Sequence, residues 1–551
     1  MGSIRTNKNI EILVIIPARG GSKGIPRKNL RSLAGKPLIY YAIKNAFSIT
    51  HGVIDVYVSS EDDEILSIAS KFSAKTIKRD QLNAGDKVTL DPVIYDAYSK
   101  IRKIENKEYN LVITLQPTSP LLKPQSLNDA ISKLLNENID TLISGIYDTH
   151  LTWLKEDSKF FPNYKKRVNR QELPQLYKET GGFVISKANF IQQTTRFGKN
   201  IQIFPLGKSE AIDIDDFEDW NICDYYLKRK KILFVLCGNN EVGMGHVYNT
   251  LSIANEILNH RISFLVDSKS KLACDKILDS NYEVRIQQHN DIVEDIFELA
   301  PDIIINDRLD TTKEYMSALA GKIEKVINFE DLGEGSAIAD LVINAMYPEG
   351  RVMANHYHGS KYFILRDEFL FEKEKKINKN IKNILLSFGG VDPNDYTRRI
   401  LKIIYEYCQQ ENLNITVVTG MGYKNSKELL RDYPLANIKM DVKNMSDEIY
   451  NSDLIFTSAG RTTFEVASIG VPSIVLCQNK RETTHFFASE KNGFYNLGLG
   501  FEVRDEEILD AFYNAKKYKN RKLMNDRMIA TDLKNGKRRV LNLIRKTIEH
   551  Y

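Results

Sequence analysis

The feature that most constrains the fold of this chain is an apolar strand followed by a basic, glycine-rich loop. Residues 12–16 predict a buried strand, and Gly20, Gly21 and Gly24 follow it closely. Glycines let backbone N–H groups approach phosphate oxygens, and basic side chains offset phosphate charge. The spacing is neither that of a P-loop, since no Gly-Lys-Ser/Thr follows, nor Gly-x-Gly-x-x-Gly. The loop predicts a nucleoside-triphosphate site, with positive charge from Arg19, Lys23, Arg27 and Lys28.

The composition is that of a globular protein with more than one domain. The chain has 551 residues, of which 42% are hydrophobic and 27% charged, and its formal net charge is +5. This length exceeds one ordinary hydrophobic core, so two or three domains are expected. A small positive charge suits anionic nucleotides. The sequence has no basic stripe with interleaved aromatic residues, which argues against nucleic acid as a partner.

Cysteine usage and hydropathy favour a soluble cytoplasmic protein. The five cysteines lie far apart and form no Cys-x-x-Cys pair, which fits a reducing compartment and argues against a structural zinc site. Residues 1–9 are polar and lack the apolar segment of a signal peptide. No run approaches the roughly 18 apolar residues that cross a bilayer, so no membrane partner is expected.

Alternating strand and helix signals predict an α/β fold. Strands are predicted at residues 12–16, 53–59, 111–115, 141–146 and 183–185, with amphipathic helices at 62–72 and 125–137. This alternation predicts a mainly parallel, doubly wound, Rossmann-like sheet, with ligands at the carboxyl ends of its strands.

A second nucleotide-binding unit is predicted after the basic run 228–231. A strand at 232–236, a glycine-containing loop at 238–245 and a helix at 246–258 repeat the order of strand, loop and helix. A charged stretch at 372–382 indicates a linker between two lobes. The predicted domains are therefore residues 1–228, a first lobe at 229–378 and a second lobe at 379–551.

The first strand and its loop read Val14-Ile-Ile-Pro-Ala-Arg-Gly-Gly-Ser-Lys-Gly-Ile-Pro-Arg-Lys-Asn-Leu30. This run closely resembles the signature of acylneuraminate cytidylyltransferases, which join CMP to sialic-acid-like nonulosonic acids. Related octulosonate enzymes have a different loop, so nine-carbon sugars are favoured. Over about residues 10–228 the resemblance implies a nucleotidyltransferase fold with CTP as substrate. It assigns catalytic roles to Arg19 and Lys28, and nucleotide binding to Ala18, Gly20, Gly21, Ser22, Lys23, Asn29 and Arg79.

Shorter segments support this resemblance and show its departures. Lys78-Arg79-Asp-Gln-Leu resembles the family's Arg-Pro-x-x-Leu segment, although Asp80 replaces proline. Leu115-Gln-Pro-Thr-Ser-Pro120 matches the segment with a substrate-facing glutamine. Arg170-Gln-Glu-Leu-Pro174 resembles the region near the acyl sugar, and Thr180-Gly181 replaces the common Asn-Gly. The resemblance thus assigns Gln116, Arg170 and Tyr177 to substrate binding.

Asp213 and Asp215 form an Asp-x-Asp element late in the first domain. Aspartates at i and i+2 of an extended segment project to the same side and can hold a hard divalent cation. Asp-x-Asp is also common in surface turns, so the pattern alone is weak. In the cytidylyltransferase family the matching positions bind magnesium, which implies catalytic and metal-binding roles for both residues with Mg²⁺ or Mn²⁺.

The second half contains Gly243-Met-Gly245-His246 at the start of a predicted helix. Glycine N–H groups and the helix dipole favour a diphosphate there, and a histidine can act as general base on water; local packing is the alternative role. Residues 230–551 resemble the UDP-sugar hydrolase of pseudaminic acid biosynthesis, which has the two-lobed glycosyltransferase-B fold. The resemblance assigns His246 to catalysis and the following residues to UDP: Gly243, Gly245, Gly389, Gly390, Ala459, Gly460, Arg461, Thr462, Thr463 and Glu465. Within UDP, it assigns the backbone amides of residues 459–463 to the pyrophosphate and Glu465 to the ribose hydroxyl groups.

The second half also departs from that family near its sugar and water side. Asn249 stands where the family commonly has arginine, three residues after the histidine. Cys237-Gly-Asn-Asn240 replaces an Arg-x-Asp element, and Asn306-Asp307-Arg308 only loosely resembles an Asp-x-Tyr element. The nucleotide half of the predicted site is therefore intact, and the other half is altered.

The combined interpretation is a bifunctional enzyme of nonulosonic acid biosynthesis. The first domain would transfer CMP from CTP to pseudaminic acid or an isomer, and the second module would hydrolyse a UDP-linked amino-deoxy sugar. Two alternatives stay open: a non-catalytic C-terminal module for nucleotide-sugar binding or oligomerisation, and a C-terminal glycosyltransferase. The resemblance also implies a homodimer formed through the first domain. The aromatic and basic segment 147–175 is a candidate dimerisation arm or sugar lid.

Overall fold

The computed structural model describes residues 10–22, 24–85, 87–239, 243–348, 353–420 and 422–549. The chain forms two compact units, the first ending at Arg229 and the second beginning at Lys230. Lys23, a predicted nucleotide ligand, and Asn240 lie outside the described residues.

The first unit contains one large sheet and two short hairpins. Its strands are β1 (Glu11–Pro17), β2 (Ser32–Leu33), β3 (Lys36–Pro37), β4 (Val53–Ser60), β5 (Lys75–Lys78), β6 (Leu111–Leu115), β7 (Thr141–Tyr147), β8 (Trp153–Glu156), β9 (Lys159–Pro162), β10 (Tyr177–Lys187) and β11 (Ile201–Pro205). Its helices are α1 (Ile39–Phe47), α2 (Asp63–Lys71), α3 (Leu90–Glu105), α4 (Pro124–Asn136) and α5 (Phe217–Lys228).

The large sheet has the order β11-β7-β10-β6-β1-β4-β5. Its strand pairs are parallel except for the two that β10 makes. From β1 the chain continues to β4 and β5 on one side and later to β6 on the other, so the strand order reverses between β1 and β6. Ligands of open α/β sheets bind at the carboxyl ends of strands at such a switch point. The glycine-rich loop begins there.

The continuous apolar run of β1 is explained by burial on both faces. Ile12, Val14 and Ile16 pack in one hydrophobic cluster, and Leu13 and Ile15 pack in another on the opposite face. Successive strand residues project to opposite faces, and parallel strands covered by helices on both sides need no polar alternation. This packing fixes the position of the loop that follows β1.

The second unit contains two further parallel sheets. The first lobe has β12 (Lys231–Leu236), β13 (Arg261–Val266), β14 (Val284–Ile286), β15 (Ile303–Asp307), β16 (Lys325–Phe329), β17 (Leu341–Asn344) and β18 (His356–His358). Its helices are α6 (Gly245–Ala254), α7 (Lys271–Asp279), α8 (Ile292–Leu299) and α9 (Lys313–Leu319), and α10 (Asp367–Leu370) follows the lobe.

The second lobe has β19 (Asn383–Ser387), β20 (Asn414–Thr419), β21 (Asn437–Met440), β22 (Leu454–Thr457), β23 (Ser473–Cys477) and β24 (Phe494–Leu499). The helices from this lobe to the end of the described chain are α11 (Tyr396–Gln410), α12 (Ser426–Asp432), α13 (Met445–Tyr450), α14 (Thr462–Ile469), α15 (Asp505–Lys516), α16 (Tyr518–Ile529) and α17 (Gly536–Glu549).

Both lobes repeat the strand order of a Rossmann fold. The first sheet is β14-β13-β12-β15-β16-β17-β18, and the second is β21-β20-β19-β22-β23-β24. Their switch points lie between β12 and β15 and between β19 and β22, so each lobe offers a ligand site there. The predicted α/β class, a doubly wound nucleotidyltransferase-like sheet followed by a two-lobed glycosyltransferase-B-like module, is confirmed.

The C-terminal helix crosses back from the second lobe to the first. Val540 and Ile544 of α17 are buried in the core that also contains Ile232 and Phe234 of β12. The predicted lobe boundaries did not include this crossover, because the amphipathic pattern of α17 does not reveal which lobe it covers.

Among the described helices, none is both long and apolar enough to cross a membrane.

Candidate functional sites

The loop after β1 is fixed by hydrogen bonds at both of its ends. Ala18 N–H donates to the carbonyl oxygen of Ser59 at 3.0 Å. Asn29 Nδ2 donates to the carbonyl oxygen of Arg19 at 2.9 Å. Asn29 and Ala18 are both buried. Ala18 and Asn29, both predicted nucleotide ligands, therefore also stabilise the conformation of the loop.

The glycines of this loop have different surroundings. Gly20 N–H donates to Glu61 Oε1 at 2.7 Å, and a Cβ on Gly20 would lie 2.5 Å from Asp62 Oδ2. A Cβ on Gly21 would meet nothing within 4 Å, and Ser22 beside it is partly exposed. A phosphate bound at the Gly20 amide would have to replace the Glu61 carboxylate, whereas the space beside Gly21 is open.

Lys28 joins the glycine-rich loop to the Asp-x-Asp element. Its Nζ donates to the carbonyl oxygen of Ile214 at 2.5 Å, and Ile214 N–H donates to Thr118 O, beyond β6, at 2.8 Å. Burial lowers the pKa of Lys28, and the carboxylates of Asp215 and Asp213 oppose this change. The glycine-rich loop, the end of β6 and the Asp213–Asp215 segment are therefore joined by hydrogen bonds.

Asp213 and Asp215 flank the buried Ile214 and differ in exposure. Asp213 Oδ1 is buried, and burial raises the pKa of Asp213, while a hydrogen bond from the Thr118 side chain opposes this change. Asp215 is exposed. In the described part of the chain no group of three or more His, Cys, Asp or Glu side chains could hold a metal. Mg²⁺ is commonly held by one or two carboxylates plus substrate phosphates, so this donor pair fits that ion.

A bulge in β10 shapes the other side of Asp213. The pairing of β10 with β7 shifts between Glu179 and Val184, and Thr180 Oγ1 donates to Ser144 Oγ at 2.8 Å. A Cβ on Gly181 would lie 2.9 Å from Asp213 Oδ1. Bulges re-aim strands next to sites. Thr180, the departure from Asn-Gly, therefore stabilises the bulge, and Gly181 makes room for the carboxylate.

Arg79 follows the edge strand β5, and Gln116 follows β6, which is separated from β5 by β1 and β4. Arg79 is buried and donates from Nη2 to Ser59 O at 2.6 Å. The charge of Arg19 lowers the pKa of both Arg79 and Lys28, after burial as the main cause, so these three cations lie within electrostatic reach of one another. Gln116 follows β6 directly and is partly buried. Arg19, Lys28 and Arg79 thus form one cationic group, and Gln116 lies at the β1–β6 switch point.

The predicted sugar residues Arg170 and Tyr177 form a separate exposed group. The Arg170 guanidinium lies 5.6 Å from the ring centre of Tyr147, and the Tyr147 and Tyr177 rings are edge-to-face at 5.9 Å. Tyr177 is 45% exposed and begins β10, the strand that reaches Asp213 at Gly181. Tyr177 of this group therefore lies on β10, the same strand as Gly181, which lies beside Asp213.

A cleft of about 350 Å³ opens between the two lobes of the second unit. Loops from both switch points line it. The predicted residues that line it are Gly243, Gly245, His246, Gly389, Gly390, Gly460, Arg461, Thr462 and Glu465. Ala459 and Thr463 are buried in the same loop and helix start. The structure therefore brings the separate motifs of the second half together in one cleft.

His246 pairs with an aspartate that sequence reasoning left unassigned. His246 Nδ1 lies 2.5 Å from Asp307 Oδ1, and the Asp307 side chain is 1% exposed. Asn249 Nδ2 donates to Asp307 Oδ2 at 2.7 Å. Asp307 ends β15, across the switch point from β12. The signal that could have identified it is an acidic residue at the end of a strand that begins with the apolar run 303–305.

Arg461 extends from the second lobe toward this pair. Its Nη2 donates to Asn249 Oδ1 at 3.1 Å and to Ile364 O at 3.3 Å. Its guanidinium lies 4.4 Å from the ring centre of Phe363. The structure directs the Arg461 side chain to the first lobe, and the assignment of its backbone amide to UDP stays a prediction.

Two carboxylates occupy the nucleotide side of the cleft. Glu465, the predicted ribose ligand, accepts a hydrogen bond from Arg366 Nε at 2.8 Å. Glu482 Oε2 accepts hydrogen bonds from Ala459 N–H at 3.1 Å and Gln478 N–H at 2.8 Å. Burial raises the pKa of Glu482 to about 7. The Ala459 amide, predicted to bind pyrophosphate, is therefore already bonded to a side chain that sequence reasoning missed.

Glu330 is a further buried carboxylate of the cleft. Its backbone is left-handed, with φ of 51°, and its Oε1 accepts a hydrogen bond from Ala345 N–H at 3.1 Å. Burial raises its pKa to about 7, although the charges of Arg461 and His246 act to lower it. Strained backbone and perturbed carboxyl groups cluster at functional sites. Glu330 is not among the residues that the sequence assigned to a site.

Comparison with known proteins gives three kinds of match. A family model described as cytidylyltransferase matches residues 13–245. A pseudaminic acid cytidylyltransferase of Campylobacter jejuni is 34% identical over 219 residues, which cover 38% of this chain and 92% of that protein. Among solved structures, MurG of Acinetobacter baumannii has a TM-score of 0.43 at 15% identity, covering 57% of this chain and 99% of that chain.

An uncharacterised protein of Methanocaldococcus jannaschii is 30% identical over 328 residues, covering 52% of this chain and 67% of that protein. This share of the chain exceeds the first unit, which ends at Arg229, so the match includes residues of the second unit. The family model and the Campylobacter relative confirm the resemblance predicted for about residues 10–228.

Proposed function

Because this chain belongs to the cytidylyltransferase family, we propose that its first unit transfers CMP from CTP to the 2-hydroxyl group of a nonulosonic acid. The observation that carries the proposal is the contact of Lys28 with Ile214, which brings the glycine-rich loop to Asp213 and Asp215. The hydroxyl oxygen attacks the α-phosphorus and its proton passes to solvent, the bond from the α-phosphorus to the bridging oxygen breaks, and pyrophosphate leaves with the electron pair. Positioning and charge neutralisation dominate such reactions.

The residues of this site have separable roles in the proposal. Arg19 and Lys28 offset the charge of the triphosphate, and Asn29 and Ala18 keep the loop in place. Asp213 and Asp215 would hold Mg²⁺ or Mn²⁺, which supplies further charge neutralisation at the phosphates. Arg170 and Tyr177 would contact the acid from the outer part of β10.

We propose pseudaminic acid or a stereoisomer as the acceptor. The Campylobacter relative is named for pseudaminic acid, and other relatives of this chain are N-acylneuraminate cytidylyltransferases. The test measures pyrophosphate release from CTP and Mg²⁺ with pseudaminic acid and with N-acetylneuraminic acid. Asp213→Asn should abolish release, and Asp129→Asn on the exposed face of α4 should not. Release that is undiminished in Asp213→Asn would overturn the assignment.

We also propose that the first unit forms a homodimer. The hairpin of β8 and β9 carries apolar side chains that are at least 45% exposed: Trp153, Leu154, Phe160 and Phe161. Exposed apolar patches of this kind mark protein interfaces. Light scattering after size exclusion should give a dimer for the chain and a monomer for a Trp153→Ser, Phe160→Ser variant. A monomeric parent chain would contradict the proposal.

For the second unit we propose hydrolysis of a UDP-linked amino-deoxy sugar. The His246–Asp307 pair, in a cleft between two lobes with Rossmann-like strand orders, favours this over a binding role. Water attacks the anomeric carbon of the sugar, the bond from that carbon to the phosphate oxygen breaks, and UDP leaves with the electron pair. His246 Nε2 accepts the proton of the water, while Asp307 holds Nδ1–H.

The decisive measurement is release of free UDP from a UDP-linked 2,4-diacetamido-trideoxyhexose by the full chain. Release that disappears in His246→Ala supports the hydrolase, with His356→Ala as a histidine control elsewhere in the first lobe. If the parent chain releases no UDP, the hydrolase proposal is wrong, and the second unit then binds nucleotide sugars or transfers a glycosyl group.

A further inference from the structure

A continuous chain of side chains crosses the cleft of the second unit from one lobe to the other. It runs from His246 Nδ1 to Asp307 Oδ1 at 2.5 Å, and from Asp307 Oδ2 to Asn249 Nδ2 at 2.7 Å. It then runs from Asn249 Oδ1 to Arg461 Nη2 at 3.1 Å. The first three residues belong to the first lobe, and Arg461 belongs to the second. One end of the chain is the proposed general base.

Each link in this chain is fixed in direction by chemistry. An ionised carboxylate can only accept and a guanidinium can only donate hydrogen bonds. Asn249 lies between one of each, so its amide nitrogen must face Asp307 and its oxygen must face Arg461. Asp307 then accepts the proton of His246 Nδ1, which leaves Nε2 as the basic nitrogen. A neutral amide with one donor end and one acceptor end is what this position requires.

Several contacts fix the position of the Arg461 side chain. Its guanidinium is stacked on the Phe363 ring and also donates to Ile364 O. A Cβ on Gly245 would lie 2.8 Å from Arg461 Cδ, so the glycine before His246 makes room for the side chain. Its charge is balanced by the nearby carboxylates of Asp307, Glu330 and Glu465, which oppose the lowering of its pKa by burial.

Arg461 also connects the chain to the predicted nucleotide subsite. It directly precedes α14, whose first residue is Thr462, and the amides at this helix start are the predicted pyrophosphate ligands. Movement of the second lobe away from the first would carry Arg461 away from Asn249. The orientation of His246 and the position of the nucleotide lobe therefore depend on the same residue.

We propose that Arg461 is a positioning residue that acts across the cleft through Asn249 and Asp307 on His246, so that the base is correctly oriented only while the lobes are closed. The proposal rests on the hydrolase function proposed above for its catalytic consequence. The arrangement of hydrogen bonds itself does not depend on which substrate is bound. Closure of the lobes would therefore orient His246 as the general base.

The test is the tautomer of His246, measured by long-range ¹H–¹⁵N NMR on the full chain with ¹⁵N-labelled histidine and assigned with His246→Gln. The parent chain should show the Nδ1–H form. Arg461→Met and Asn249→Ser should each give a mixture of tautomers. Arg481→Met is the matched control, because Arg481 also crosses the cleft but contacts Asp310 and Tyr347 instead. It should leave the tautomer unchanged.

Kinetics add a second readout. If UDP release is observed, Arg461→Met should lower kcat on the order of 100-fold, as expected for a misplaced base, with partial rescue by added guanidinium at concentrations that do not unfold the chain. If the parent chain releases no UDP but the tautomer changes as expected, the hydrolase proposal fails and the positioning role stands. An Nδ1–H tautomer that persists in folded Arg461→Met or Asn249→Ser overturns the positioning role. Asn249→Ser decides the matter if Arg461→Met does not fold.

Discussion

Lys28 Nζ donates a 2.5 Å hydrogen bond to the carbonyl oxygen of Ile214, which lies between Asp213 and Asp215. This single contact joins the basic loop that begins the first unit to the acidic element near its end. The two motifs are 186 residues apart in sequence. Their contact makes one site out of a predicted phosphate cradle and a predicted metal-binding pair.

Lys28→Met should remove both the cation and this hydrogen bond while keeping most of the side-chain volume. We expect pyrophosphate release from CTP to fall on the order of 100-fold or more, because loss of one group that stabilises transition-state charge has such an effect. Lys36→Met, at an exposed lysine over the Tyr40 ring, is the control. A Lys28→Met enzyme with near-parental turnover would show that the contact is only structural.

Gly181→Ala tests the space beside Asp213. A Cβ there would lie 2.9 to 3.0 Å from the Asp213 carboxylate atoms, closer than ordinary contacts allow, so the carboxylate must move. We expect cytidylyl transfer to fall by about 10-fold or more, since small displacements of catalytic groups are costly. Gly207→Ala is the matched control, because its Cβ would meet only Glu210 Oε2 at 3.5 Å. Equal activity of the two variants would contradict the prediction.

Metal removal should stop the reaction of the first unit. With Asp213 and Asp215 as the proposed metal ligands, we expect EDTA to abolish pyrophosphate release and Mg²⁺ or Mn²⁺ to restore it. Asp213→Asn should raise the Mn²⁺ concentration needed for half-maximal binding by about 10-fold or more, measured by electron paramagnetic resonance with CTP present. Turnover that persists after exhaustive chelation would exclude a metal requirement.

Sequence patterns predicted the strands and the ligand-bearing loops well for a physical reason. Largely apolar runs such as Leu111–Leu115, in which only Thr114 is polar, have few alternatives to a buried strand, and this run matches β6 residue for residue. The predicted helix at 246–258 is shorter in the structure, ending at Ala254. The pairing of Asp307 with His246 and the reach of Arg461 across the cleft depend on lobe packing, which local periodicity does not encode.

Glu482 should make the stability of this chain depend on pH. Burial raises its pKa from 4.5 to about 7, so the folded protein keeps the proton over a range in which the unfolded chain has lost it. The resulting stabilisation is fully present below about pH 4.5 and is lost as pH rises through about 7. The full change corresponds to about 3 kcal/mol at 1.36 kcal/mol per pH unit. Glu330, also raised to about 7, acts in the same direction.

Glu482→Gln keeps an oxygen for the amides of Ala459 and Gln478 but removes the titration. The urea midpoint of the full chain should be similar in the variant and its parent at about pH 5.5, and higher in the variant at about pH 8.5. His485, whose pKa burial lowers, costs stability as pH falls below its ordinary value of 6.5. It does so in both proteins, so their difference isolates Glu482. Glu490→Gln, at an exposed glutamate, should not differ from the parent. A parallel pH dependence of Glu482→Gln and parent would show that Glu482 ionises normally.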